Sequence, residues 1–109
     1  GGSYLSIIEG TATAYGLTAS SLVERTPQAV RETLLSGNLL VALMGPGHFT
    51  QGGHFILLRG VTLSGMILVA DPNSEERSLM EWDPQLILDE LSASTASGAP
   101  LWVLSPADS

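Results

Sequence analysis

The chain has no cysteine in its 109 residues. That excludes disulfides, thiolate metal sites and any thiol nucleophile carried by these residues, and it leaves the compartment unread. Lysine is absent as well. Arginine supplies all four cations against eleven carboxylates, for a net charge of −7. A surface of that sign repels phosphate, which argues against nucleic acid or an anionic membrane as a partner. No apolar run approaches the roughly 18 residues that span a bilayer. The opening "GGSYLSIIEG" has no basic residue ahead of its apolar part, so it does not read as a signal peptide.

What is present suits one small packed domain. Apolar residues make up 44% of the sequence, enough for a core and too many for a disordered chain. Tyr4, Ile8, Ala12 and Tyr15 recur at helical spacing, with Gly16 as a stop. "LTASSLV" reads as a short strand. Thr26 as N-cap, Pro27 at the first helical position, Val30 and Leu34 on one side and Gly37 at the end predict a second helix. "NLLVALM" is too short for a helix and predicts a buried strand. "HFILLRGV" and "MILVAD" predict a hairpin closed by a turn at "TLSG". "PNSEERS" reads as polar loop, Asp83–Pro84 as the start of a helix running to Leu91, "SASTASGAP" as a linker, and "LWVL" as a last strand. This order gives an α+β fold with a small antiparallel sheet flanked by helices. Trp82 and Trp102 read as core residues.

Chemistry concentrates in "GPGHFTQGGH", where four glycines and both histidines, His48 and His54, meet the start of a strand. No helix follows, so the glycines do not form a phosphate cradle. Side chains alternate along a strand, so an even loop at "TLSG" puts His54 and Asp71 on one sheet face. With four loop residues His54 lies opposite Asn73 and diagonal to Asp71, about 7–8 Å away between backbones across the pair of strands. A carboxylate that orients a histidine is the base half of a nucleophilic triad. The same pair also serves as a structural hydrogen bond, and Asp71–Pro72–Asn73–Ser74 is ordinary turn chemistry. His48, His54 and Asp71 together would make a two-histidine, one-carboxylate metal site. Ser78 is set aside as a nucleophile because it would need unusual geometry.

"MGPGHFTQGGHFILLRGV", then "GMILVADPNSEERS" and "EW", resembles the C-terminal half of the bacterial cysteine peptidases of the bacteriocin-processing, double-glycine type, within the papain-like clan. The resemblance spans about Tyr4 to Ser105 and is nearest to large secreted or cell-surface members. It implies a papain-like cysteine proteinase fold over residues 1–109 as one partial domain. It also implies a catalytic histidine at His54 and its orienting aspartate at Asp71, with His48 and Asn73 as cleft or supporting residues. No cofactor and no metal are implied. The family's nucleophilic cysteine and the glutamine before it have no counterpart here. The expectation is therefore a chain that supplies the His/Asp half of the site, is inactive alone, and works with a cysteine-bearing N-terminal half on a peptide or protein substrate. Apolar surface left for that half would favour self-association. A non-catalytic binding or scaffold relative of the same fold is the competing expectation.

Overall fold

The computed structural model describes residues 16–106; the predicted helix at Tyr4–Tyr15 lies outside them. Six strands form one antiparallel sheet: β1 (Leu17–Ser21), β2 (Leu39–Met44), β3 (His54–Val61), β4 (Ile67–Ala70), β5 (Glu81–Trp82) and β6 (Leu101–Pro106). Their order across the sheet is β1-β6-β2-β3-β4-β5. Helices α1 (Pro27–Leu35), α2 (Glu75–Leu79) and α3 (Pro84–Asp89) and a short 3-10 turn at Ala96–Gly98 complete the described chain. The fold is α+β, with β2 and β3 at the middle of the sheet.

Local chemistry accounts for the elements. Thr26 caps α1 by accepting from the Ala29 amide, Pro27 occupies the first turn, and Ala29, Val30 and Leu34 are buried. Burying a side chain such as Leu34 contributes about 1.5–3 kcal/mol. Gly37 turns the chain out at φ +91°, a conformation that costs glycine little. β2 alternates its side chains between two apolar layers, which is why it reads as an unbroken apolar run. Leu40, Ala42 and Met44 join Val30, Leu34, Ile56, Leu58, Val69 and Ile87 in the main core, beneath α1 and α3. Leu43 packs on the other face with Trp102 and Leu104, and Leu39, Val41, Phe55 and Leu57 are half-buried beside them. Trp82 and Trp102 are both buried, as the sequence predicts.

Four local expectations need correction. "PNSEERS" is not all loop, because Ser74 accepts from the Arg77 amide and starts α2, with Glu75 and Glu76 in its first turn. β5 follows directly and was not predicted. α3 stops at Asp89, two residues short of Leu91, and Leu91 instead bridges Met44 across the end of β2. The hairpin turn is longer than "TLSG": Val61 pairs with Ile67, so Thr62–Met66 forms a five-residue loop, with Gly65 at φ +86°.

An odd loop on its own would send His54 and Asp71 to opposite faces. It does not, because β3 carries a bulge. Leu58 pairs with Val69 while Gly60 pairs with Leu68, which leaves Arg59 as one extra residue. The bulge reverses the parity a second time. By Leu57–Ala70 the register is the one the even loop predicts, and continuing it places His54 across from Asn73.

Candidate active site

His54 is the first residue of β3, paired with Met44 at the end of β2. Asp71 follows the last residue of β4, so both side chains stand at one end of the central strands. His54 Nε2 lies 2.7 Å from Asp71 Oδ1. The Asp71 side chain is fully buried and that of His54 is 12% exposed. The two residues singled out by motif and parity thus meet in a direct hydrogen bond.

The surroundings of Asp71 fix the direction of that bond. Its Oδ1 also accepts from the Asn73 amide at 2.9 Å, and its Oδ2 accepts from Arg77 Nε at 2.7 Å. The Asp71 amide donates to Ser78 Oγ at 2.8 Å. Burial pushes the Asp71 carboxyl upward, but hydrogen bonds from Arg77, His54 and the Asn73 amide, together with the His54 charge, outweigh it and hold the group below the usual carboxylate range. An ionised carboxylate only accepts, so Nε2 of His54 carries the shared proton and Nδ1 is left as the acceptor. Asn73 Nδ2 lies 3.3 Å from that Nδ1. Asn73 is therefore a member of the cluster through both its amide and its side chain, and its placement is more than loop shape.

His48 is elsewhere. It sits in the Gly45–Gly53 loop, 60% exposed, with Nδ1 at 2.5 Å from Glu90 Oε2. Its amide donates to Glu90 Oε1, so one carboxylate at the end of α3 grips both the ring and the backbone of the loop. The His48 ring meets Trp82 edge-on at 6.1 Å, and Phe49 packs on Trp82 at 4.4 Å between centroids. His48 and His54 thus answer to different carboxylates. Among the described residues no group of three His, Cys, Asp or Glu is placed to hold a metal ion, and the metal reading of His48, His54 and Asp71 has no geometric support.

No family model, curated protein or solved structure matches the chain. The site therefore stands on its own geometry.

An apolar depression of about 390 Å³ lies next to the pair, lined by Val41, Phe55, Leu57 and Ala70 with Pro72, Asp71 and Ser78. Ile56 completes its walls; His54 is not among them. Ser78 is held by Asp71 and by the Ser74 carbonyl at 2.9 Å, which suits a support and not a nucleophile. Sequence reasoning missed Arg77, and it missed Glu90 as the partner of His48. A signal for α2 was present: Ser followed by two glutamates is a helix start, and a helix there brings Arg77 back toward Asp71.

Proposed function

We propose that the chain supplies the histidine and aspartate of a papain-like cysteine peptidase, whose nucleophile belongs to polypeptide other than these residues. The observation that carries the reading is the 2.7 Å bond between His54 Nε2 and a fully buried Asp71, which leaves Nδ1, 3.3 Å from Asn73 Nδ2, as the basic nitrogen. In the reaction, Nδ1 takes the proton of a cysteine thiol and the thiolate attacks the peptide carbonyl. The C–N bond then breaks as imidazolium His54 returns the proton to the leaving amine, which leaves a thioester. A water activated by the same nitrogen hydrolyses the thioester and regenerates the thiol. Asp71 holds the imidazole and stabilises its charged form. The partners on this reading are a cysteine-bearing N-terminal half and a peptide or protein substrate. The papain-like form of the α+β fold and a secreted or cell-surface setting belong to the same proposal.

The test is expression of the chain together with its encoded upstream sequence, followed by hydrolysis of a fluorogenic peptide library. Activity should disappear on thiol alkylation, and His54→Ala should lower kcat/KM by about 10²–10⁴-fold. Activity that survives both treatments, or an upstream sequence without cysteine, refutes the peptidase. A second reading, a non-catalytic binding relative, draws on the Asn73 side chain, whose Nδ2 donates to Nδ1 at 3.3 Å and competes for the base. It is favoured if the upstream sequence places serine or glycine where the nucleophile belongs.

A further inference from the structure

Helix α2 poses a question of its own. It has five residues and none of them is buried, so it adds nothing to the core. Its N-cap Ser74 and its residues Arg77 and Ser78 nonetheless all bond to Asp71. Ser74 donates its amide to the Asp71 carbonyl at 3.0 Å and caps the helix through its side chain. Ser78 Oγ accepts from the Asp71 amide at 2.8 Å. Arg77 reaches back to Oδ2 at 2.7 Å, while its carbonyl accepts from Trp82 Nε1 at 3.0 Å. Trp82 is buried against Phe49, so the arginine backbone is tied to the core while its guanidinium holds the carboxylate.

We propose that Arg77 is a positioning residue of the His54–Asp71 pair: by occupying Oδ2 it keeps Asp71 ionised and turned so that Oδ1 faces His54 Nε2. The inference rests on the peptidase reading only in calling His54 the base. Its reasoning is chemical. Among the described residues Arg77 is the sole partner of Oδ2, and the Asp71 side chain is fully buried. Without Arg77, a buried carboxylate oxygen is left unpaired, a state that a carboxyl relieves by taking up a proton. A protonated Asp71 can donate, and its hydrogen then goes to His54 Nε2. The neutral imidazole must now carry its own proton on Nδ1, the nitrogen that has to be empty to accept one from a thiol. Arg77 therefore acts on the tautomer of His54 across two hydrogen bonds, without touching substrate. Among the described residues the titratable or charged side chains bonded to Asp71 are His54 from β3 and Arg77 from α2.

The test is NMR on the chain as it stands, with 15N in histidine and arginine and 13C in aspartate. It needs no cysteine, so failure of Arg77 as a positioning residue and failure of the peptidase are read separately. In the wild type, neutral His54 should be the Nε2–H tautomer, and the Arg77 Nε resonance should move with the Asp71 carboxyl as it titrates. Arg77→Met should move the Asp71 midpoint upward and bring in the Nδ1–H tautomer. Arg77→Lys, which restores a cation, should reverse both changes. A folded Arg77→Met variant with the wild-type Asp71 midpoint and a single Nε2–H tautomer overturns the proposal, as does failure of lysine to restore either signal. If Arg77→Met does not fold, the wild-type titration decides: an Arg77 Nε resonance indifferent to Asp71 overturns the proposal.

Discussion

Asp71 is a carboxylate with three donors and no exposed side-chain surface, and its ionisation is linked to folding. In the unfolded chain it titrates near its ordinary value of about 3.9; in the fold it titrates lower. Between those two values the unfolded state binds more protons, so stability rises with pH there. The contribution of Asp71 is complete above about pH 4–5 and is lost as pH falls through the folded value. Urea unfolding of the wild type and of Asp71→Asn should differ most at neutral pH, and the gap should close toward pH 2. A pH-independent gap would mean that the carboxylate contributes through shape and not through charge. The glycine loop offers a second residue-scale prediction. A Cβ on Gly47 would fall on the Glu90 carboxylate that holds His48. Gly47→Ala should therefore free the His48 ring, seen as loss of its nuclear Overhauser contact with Trp82. The stability cost should be about 1 kcal/mol or less, because His48 is well exposed. At this scale His54 and Asp71 were legible because each sits at a strand end with a recognisable neighbour sequence. Arg77 and Glu90 were not: Arg77 reaches Asp71 only through a short helix without an apolar stripe, and Glu90 reaches His48 from 42 residues away.

At the scale of elements, the hairpin is the instructive case. An even turn was predicted, yet the chain uses an odd turn and a bulge at Arg59, and the two parity changes cancel. Arg59 is held in place by donating to the Val69 carbonyl at 3.1 Å. Deleting Arg59 should remove the bulge and keep the five-residue loop, so that every β3 residue before it changes face relative to β4. His54 would then lose Asp71. Deleting Arg59 together with Leu63, an exposed loop residue, should restore the parity and the pair. The His54 tautomer and the Asp71 titration read both outcomes, and a single deletion that leaves them unchanged would contradict the parity argument. Long elements were legible for plain reasons: β2 as a short apolar run, and α1 through its cap, its proline and its apolar face. α2 was missed because it buries nothing, so it has no apolar stripe to find. β5 is two residues long, below the length at which alternation carries information.

For the whole molecule, the α+β class follows from the order of elements, while the strand order depends on pairings far apart in sequence that no local pattern encodes. One such pairing seats β6, from the end of the described chain, between β1 and β2. It completes a sheet whose two faces differ. One face lies under α1 and α3; the other carries half-buried Leu39, Val41 and Leu57 around the apolar depression. Apolar surface of that kind favours association, and the net charge of −7 opposes it. Exposed charges act over about 10 Å at 0.1 M salt and over about 30 Å at 0.01 M. Light scattering in 0.01 M salt at pH 8 should therefore return the monomer mass. The mass should rise as salt is added, and again toward pH 5, where carboxylates begin to take up protons. The rise comes before the loss of Asp71 ionisation, whose midpoint lies below the usual carboxylate range, so association should set in while the chain is still folded. Leu57→Asp, which adds a charge to that face, should suppress the rise. A monomer at pH 5 and high salt, or a rise that leucine-to-aspartate leaves untouched, would remove this face as the source of association.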